Sequence, residues 1–221
     1  MLLIFDLDDT LYQSFELIKS RTDAIAKLIM KKKKLSYEKA ENLRKETQKR
    51  LKAEGREYTS RATFKEIGIS PKYLEDALNS IEVDGFIKKD DSVIELLRGL
   101  SKMHDIVILS NSPKDIVNKT LEVLGVGAFV KRIYCPDDSG IEKPNPAVFK
   151  KIAQDMGYDT KDCVSIGDSV HKEIIPAKAV GMKTVLLLVK SVKLSREEQR
   201  EADFIINDLK ELPDVLEQIS L

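Results

Sequence analysis

This sequence of 221 residues has no excess charge of one sign, no cysteine framework and no long apolar run, and each absence excludes something. The 37 Lys and Arg are balanced by 37 Asp and Glu, so no global field draws the chain to nucleic acid or to an anionic membrane. Cys135 and Cys163 have no Cys or His at ligand spacing, which rules out a disulfide framework or a zinc knuckle. We expect reduced, half-buried thiols in a cytoplasmic protein. The apolar opening Met1–Phe5 is too short to span a bilayer and lacks the basic flank of a signal peptide. No internal repeat or low-complexity linker breaks the chain. At 42% hydrophobic residues it can bury a real core, as one good-sized domain or as a core plus a smaller insert.

Two textures alternate. Short apolar runs followed at once by polar punctuation read as buried parallel strands: 2–5, 106–109, 132–134, 163–166, 184–189 and 204–206. Amphipathic stretches of helical length lie between most of them, at 92–103, 113–124, 146–156, 174–180 and 209–219. That alternation predicts an α/β fold with a doubly wound parallel sheet, whose ligands sit beyond the carboxyl ends of the strands. The interval 13–88 is different: rich in Lys and Glu, without a convincing strand, with helices expected at 14–32, 37–54, 61–67 and 71–81. It is too long for a loop or a single crossover helix. We expect a second, smaller all-α domain inserted into a core made of 1–12 and 89–221.

The strongest local signal follows the first strand: Asp6, Asp8 and Asp9, with Thr10, Leu11 and Tyr12 behind them. Three carboxylates in four positions repel one another unless a cation sits among them. Magnesium suits a few carboxylates plus a phosphate. The plainer alternative is an acidic turn in which Asp9 or Thr10 caps a helix. Later strand ends tip the balance. Ser110 and Asn111 open a helix near Pro113, a ready phosphate cradle. Lys143 is pinned between Gly140 and two prolines. Asp168 leaves a buried strand behind Gly167, within reach of a metal, with Glu173 five residues on.

These four segments, in this order, resemble the haloacid dehalogenase-like superfamily, specifically its phosphatase branch with a helical cap inserted after the first strand. The resemblance runs from Leu2 to Val189 and rests most on Asp6-x-Asp8-x-Thr10 followed by Lys143 and Gly167-Asp168. It implies a Rossmann-like core, and makes Asp6 the nucleophile and Asp8 the general acid and base. It also implies that Ser110 binds the transferring phosphoryl group, that Lys143 braces it, and that Asp168 ligates Mg2+ together with Asp6 and the main chain of Asp8. Thr10, Tyr12 and Asn111 join Ser110 and Lys143 as expected substrate-binding residues. The superfamily's last motif usually ends in Asp where this chain has Glu173, which leaves that residue's contact with the metal water open. The Asp-Thr-Leu-Tyr12 opening is also similar to pyrimidine nucleotidases.

The expected activity is hydrolysis of small phosphorylated metabolites through an aspartyl phosphate, by a monomer or homodimer. A dehalogenase on this fold would lack Asp8's carboxylate. A phosphomutase would share all four motifs, and a non-catalytic phosphate-binding module would have lost one of them. Gln13, Arg56, Tyr58 and Arg61 are further candidate cap contacts. The Lys31–Lys34 run reads as a solvated helix end rather than a nucleic-acid patch. His171 reads as an exposed loop residue and His104 as structural.

Overall fold

The computed structural model describes residues 1–189 and 193–220. They form two compact units, Met1–Gln13 with Ile87–Leu221, and Ser14–Phe86.

The first unit is built on six parallel strands: β1 (Leu2–Phe5), β2 (Asp105–Leu109), β3 (Arg132–Tyr134), β4 (Cys163–Gly167), β5 (Lys183–Leu187) and β6 (Phe204–Ile206), in the order β3-β2-β1-β4-β5-β6. All four residues of β1 are buried, as a strand covered on both faces requires. Leu2 and Ile4 point into one cluster with Val107, Leu109, Val148, Phe149 and Ile152. The chain leaves β1 outward to β2 and β3, then returns to β4 on the other side. Winding therefore reverses between β1 and β4, and parallel sheets open a crevice there.

Among the helices of this unit are α5 (Asp91–Leu100), α6 (Lys114–Leu124), α8 (Pro146–Met156) and α11 (Leu212–Ser220), with shorter α7 (Pro136–Ser139), α9 (Ile175–Lys178) and α10 (Arg196–Gln199). Asn145 caps α8, its side chain accepting from Ala147 N at 3.0 Å. Left-handed glycines at 125 and 157 end α6 and α8.

Several boundaries differ from expectation; the helix expected at 92–103, for one, is Asp91–Leu100. The predicted helix at 174–180 is only the single-turn α9, preceded by a π-turn, Val170–Ile174, with Pro176 inside the first turn where its missing N–H costs nothing. The tail helix starts as a 3₁₀ turn, Leu209–Glu211, before α11. The fifth strand closes at Leu187 rather than at 189. Both cysteines are fully buried rather than half-buried, and burial pushes each thiol up to about 12, which makes them inert.

The second unit holds α1 (Phe15–Lys33), α2 (Tyr37–Ala53), α3 (Ser60–Glu66) and α4 (Pro71–Asn79). Ser14 and Thr59 cap α1 and α3, accepting from Leu17 N at 3.2 Å and Ala62 N at 3.1 Å. Its core is its own: Ile25, Ile29, Ala40, Phe64, Ile69 and Leu74. Lys31–Lys34 are exposed around the C-terminus of α1, where the helix dipole favours cations, and Lys32 Nζ lies 3.1 Å from the Tyr73 ring centroid. Among the described residues, no helix is long and apolar enough to cross a membrane.

Candidate active site

The ladder between β1 and β4 runs one residue past the strand, where Asp6 N–H donates to Ile166 O at 2.9 Å. A tight turn follows, with Leu11 N–H donating back to Leu7 O at 3.0 Å. Asp9 takes the left-handed conformation within it (φ 62°), which Asp tolerates better than most residues. The turn folds Thr10 back, and its hydroxyl donates to Asp6 Oδ2 at 3.0 Å. Asp6 and Thr10 are both buried.

The Lys143 ammonium donates to Asp6 Oδ1 and lies 2.7 Å from Glu173 Oε1. Lys143 and Glu173 are each 2% exposed, so the three charged groups form one buried cluster. Burial alone would push the Lys143 pKa down. Asp6, and then Glu173, outweigh that and hold it above the ordinary lysine range, so the group stays an ammonium. Glu173 Oε2 accepts from Ser169 N–H at 2.9 Å. Glu173 lies within the π-turn, four residues past Ser169. A side chain at Gly167 would collide with the Glu173 methylenes, so the glycine is required by packing.

Asp168 follows directly. Burial, then the neighbouring charges of Asp6 and Glu173, push its carboxyl up to about 7. A carboxyl raised by its acidic neighbours, with all-oxygen donors and no His or Cys beside it, is the environment that a hard cation relieves. Among the described residues, no group of three or more His, Cys, Asp and Glu side chains is arranged to hold a metal. The expected set has two such side chains plus a main-chain carbonyl, and magnesium habitually completes its shell with water and phosphate oxygens.

Asp8 sits across the turn. Its Oδ1 accepts from the Tyr12 hydroxyl, and its Oδ2 from the Ser112 hydroxyl at 3.1 Å. Tyr12, expected among the substrate contacts, therefore has its hydroxyl on Asp8. Ser110 is buried at the end of β2, its N–H donating to Tyr134 O at 3.0 Å and its hydroxyl accepting from Ser112 N–H at 3.1 Å. Asn111 spends its amide on the main chain of Lys143 in both directions, accepting its N–H at 2.9 Å and donating to its carbonyl at 2.7 Å. The first unit thus gathers Asp6, Asp8, Thr10 and Tyr12 after β1, Ser110 and Asn111 after β2, Lys143 after β3 and Asp168 after β4.

Among the contacts that escaped sequence reasoning are those of Ser112 and Glu173. Ser112 on Asp8 lies 104 positions away and carries no motif. Glu173 pairs with Lys143, a partnership that a lone acid in a turn does not announce. Elsewhere, Arg56 pairs with Glu66 at 2.7 Å and Arg61 with Glu75, all within the helical unit. His171 is exposed, its Nε2 3.7 Å from Glu198.

The family description "haloacid dehalogenase-like hydrolase" matches residues 1–181, so the chain belongs to that family. It is an enzyme, a phosphoric monoester hydrolase of the haloacid dehalogenase type. A glyceraldehyde 3-phosphate phosphatase of Methanocaldococcus jannaschii is 28% identical, over 98% of this chain and 97% of that protein. One of Pyrococcus furiosus is 26% identical, over 98% and 92%. Among solved structures, a haloacid dehalogenase-type phosphatase from Thermococcus onnurineus superposes with a TM-score of 0.70 at 23% identity, covering 97% of both chains. YfnB of Bacillus subtilis, solved bound to magnesium, gives 0.65 at 21% identity, also over 97% of both.

Proposed function

We propose that this enzyme is a magnesium-dependent phosphatase of small phosphorylated metabolites that forms an aspartyl phosphate on Asp6. The observation carrying this reading is the Asp6 carboxyl, held at the end of β1 by the Thr10 hydroxyl and the buried Lys143 ammonium, and electrostatically coupled to Asp168.

A phosphate monoester repels an attacking carboxylate. Lys143 lowers that repulsion by placing a fixed positive charge against Asp6 in a water-poor pocket, and Ser110 adds a hydroxyl at the next strand end. Asp6, the Asp8 carbonyl and Asp168 would hold magnesium, which supplies charge neutralisation on the phosphoryl oxygens. An Asp6 oxygen attacks phosphorus, and the bond from phosphorus to the ester oxygen breaks. Asp8 protonates the departing alkoxide. Asp8 then takes a proton from water as it attacks the phosphoryl group, freeing Asp6 and inorganic phosphate. Tyr12 and Ser112 orient Asp8 for both transfers. Glu173 pairs with the same ammonium, at 2.7 Å, and so helps to hold Lys143 in place.

The helical insert, residues 13–88, is assigned the part of a cap that excludes water and selects the leaving group. The names of the Methanocaldococcus jannaschii and Pyrococcus furiosus relatives make a phosphorylated sugar of three carbons the first substrate to test, in a cytoplasmic monomer or homodimer. Magnesium-dependent release of phosphate from p-nitrophenyl phosphate, without a bisphosphate activator, is the expected result. Asp6→Asn should lower turnover by at least about 10³-fold. Turnover kept in that variant removes Asp6 from its role, and a strict need for a bisphosphate activator would indicate a mutase.

A further inference from the structure

We propose that Asn111 is a positioning residue, one that fixes the main chain of Lys143 and thereby sets the ammonium against Asp6, instead of contacting the substrate through its side chain. The inference rests on the reading of Lys143 given above and deepens it.

An amide side chain presents one acceptor edge and one donor edge. Asn111 turns both toward a single residue, 32 positions away, accepting the Lys143 N–H at 2.9 Å and donating to the Lys143 carbonyl at 2.7 Å. Paired contacts of this sort imitate a strand partner and pin the main chain of residue 143, which lies in a turn closed by Asn145 N–H donating to Glu142 O at 3.0 Å. The anchor is itself firm, because Ser110 is tied to Tyr134 O at 3.0 Å and Asn111 follows it directly. Placement of β2 relative to β3 is thereby passed to the lysine loop.

A lysine side chain has four rotatable bonds, whose freedom is lost on burial. Glu173 and Asp6 hold the tip of this one, and Asn111 holds its base. A slack base lets the tip swing away from Asp6 while the rest of the pocket stays built. With both edges of its amide engaged, Asn111 is poorly placed to take a phosphate oxygen as well.

The test uses the full chain and reads Lys143 directly. Competitive acetylation with acetic anhydride, followed by mass spectrometry, compares Lys143 with Lys151, whose side chain is 43% exposed. In Asn111→Ala the relative labelling of Lys143 should rise by roughly tenfold as its loop opens. Asn111→Asp keeps the acceptor and loses the donor, and should fall between wild type and Asn111→Ala. It also serves if the alanine variant does not fold. With p-nitrophenyl phosphate, kcat should drop about 10²-fold at a KM within about threefold of wild type. In a Lys143→Ala background, Asn111→Ala should cost nothing further. Unchanged Lys143 labelling, or a raised KM and weaker inhibition by inorganic phosphate at an intact kcat, would overturn the proposal and place Asn111 on the phosphate. Failure of the underlying reading looks different: Lys143→Ala stays fully active while labelling still responds to Asn111.

Discussion

The two units of this chain handle charge in opposite ways. In Ser14–Phe86 every ion pair described keeps some contact with water: Arg50 and Arg56 share Glu66 with arginine side chains about half exposed, and Arg44 and Glu41 are 14% and 16% exposed. In the sheet unit the pairs that matter are Lys143 with Asp6 and Glu173, all nearly inaccessible to water. Surface pairs gain little over hydrated charges. Buried ones cost desolvation that only good geometry repays, and breaking one leaves an uncompensated charge in a poor solvent. A cluster of that kind is weak evidence for stability and stronger evidence for a task. The overall balance of charge hides a related contrast. Lys and Arg outnumber Asp and Glu within Ser14–Phe86, and the reverse holds in the remainder.

The largest expected effect comes from Lys143→Ala, which strands Asp6 and Glu173. Urea unfolding at pH 7.5 should show a loss of about 3–5 kcal/mol, with turnover nearly abolished. If stability is unchanged, water reaches the cluster and the contrast between the units fails. Next come the two cores. Phe64 and Phe149 are both fully buried, and either change to Ala should cost about 3–5 kcal/mol. Hydrogen exchange should show Phe64→Ala opening the helical unit while the sheet stays protected. Uniform opening of both would show one cooperative body instead of two.

A smaller effect is expected from pH. The folded Asp168 carboxyl titrates near 7, above its ordinary value of 3.8. Between those values the folded state binds more protons than the unfolded one, so stability falls as pH rises. Metal-free protein should therefore melt several degrees lower at pH 8 than at pH 5.5, and magnesium should restore more at pH 8. Asp168→Asn should flatten the profile and remove the magnesium response. A flat profile in the wild type would show that Asp168 is not strained by its neighbours. The smallest effect belongs to Arg50→Gln in the helical unit, expected to cost about 0–1 kcal/mol. A larger loss would mean that the Arg50–Glu66–Arg56 network is more than a solvated surface.

Much of this arrangement was legible beforehand, for a local reason. A buried strand that stops at a polar residue marks its own end, so Asp6, Ser110 and Asp168 could be placed on strand tips. Helix caps such as Ser14, Thr59 and Asn145 are equally local signals. The π-turn before α9 was not legible, because apolar spacing does not separate an α-turn from a π-turn. Nor was the destination of Asn111's amide or of Tyr12's hydroxyl. Each small polar side chain has several plausible partners, and only the neighbouring loops choose among them.

By itself, then, the order of apolar and polar residues determined that this chain makes a parallel sheet, which tips carry carboxylates, and where the helical unit interrupts it. Those properties depend on contacts within a few residues and on the two periods of strand and helix. Tertiary structure alone decided that Lys143 is shared by Asp6 and Glu173, that Asp8 is held by Tyr12 and Ser112, and that Asp168 is strained by its neighbours. Those pairings arise where segments up to 137 positions apart converge at the reversal between β1 and β4. Charge energies at that point depend on distance and water exclusion, neither of which is written along the chain.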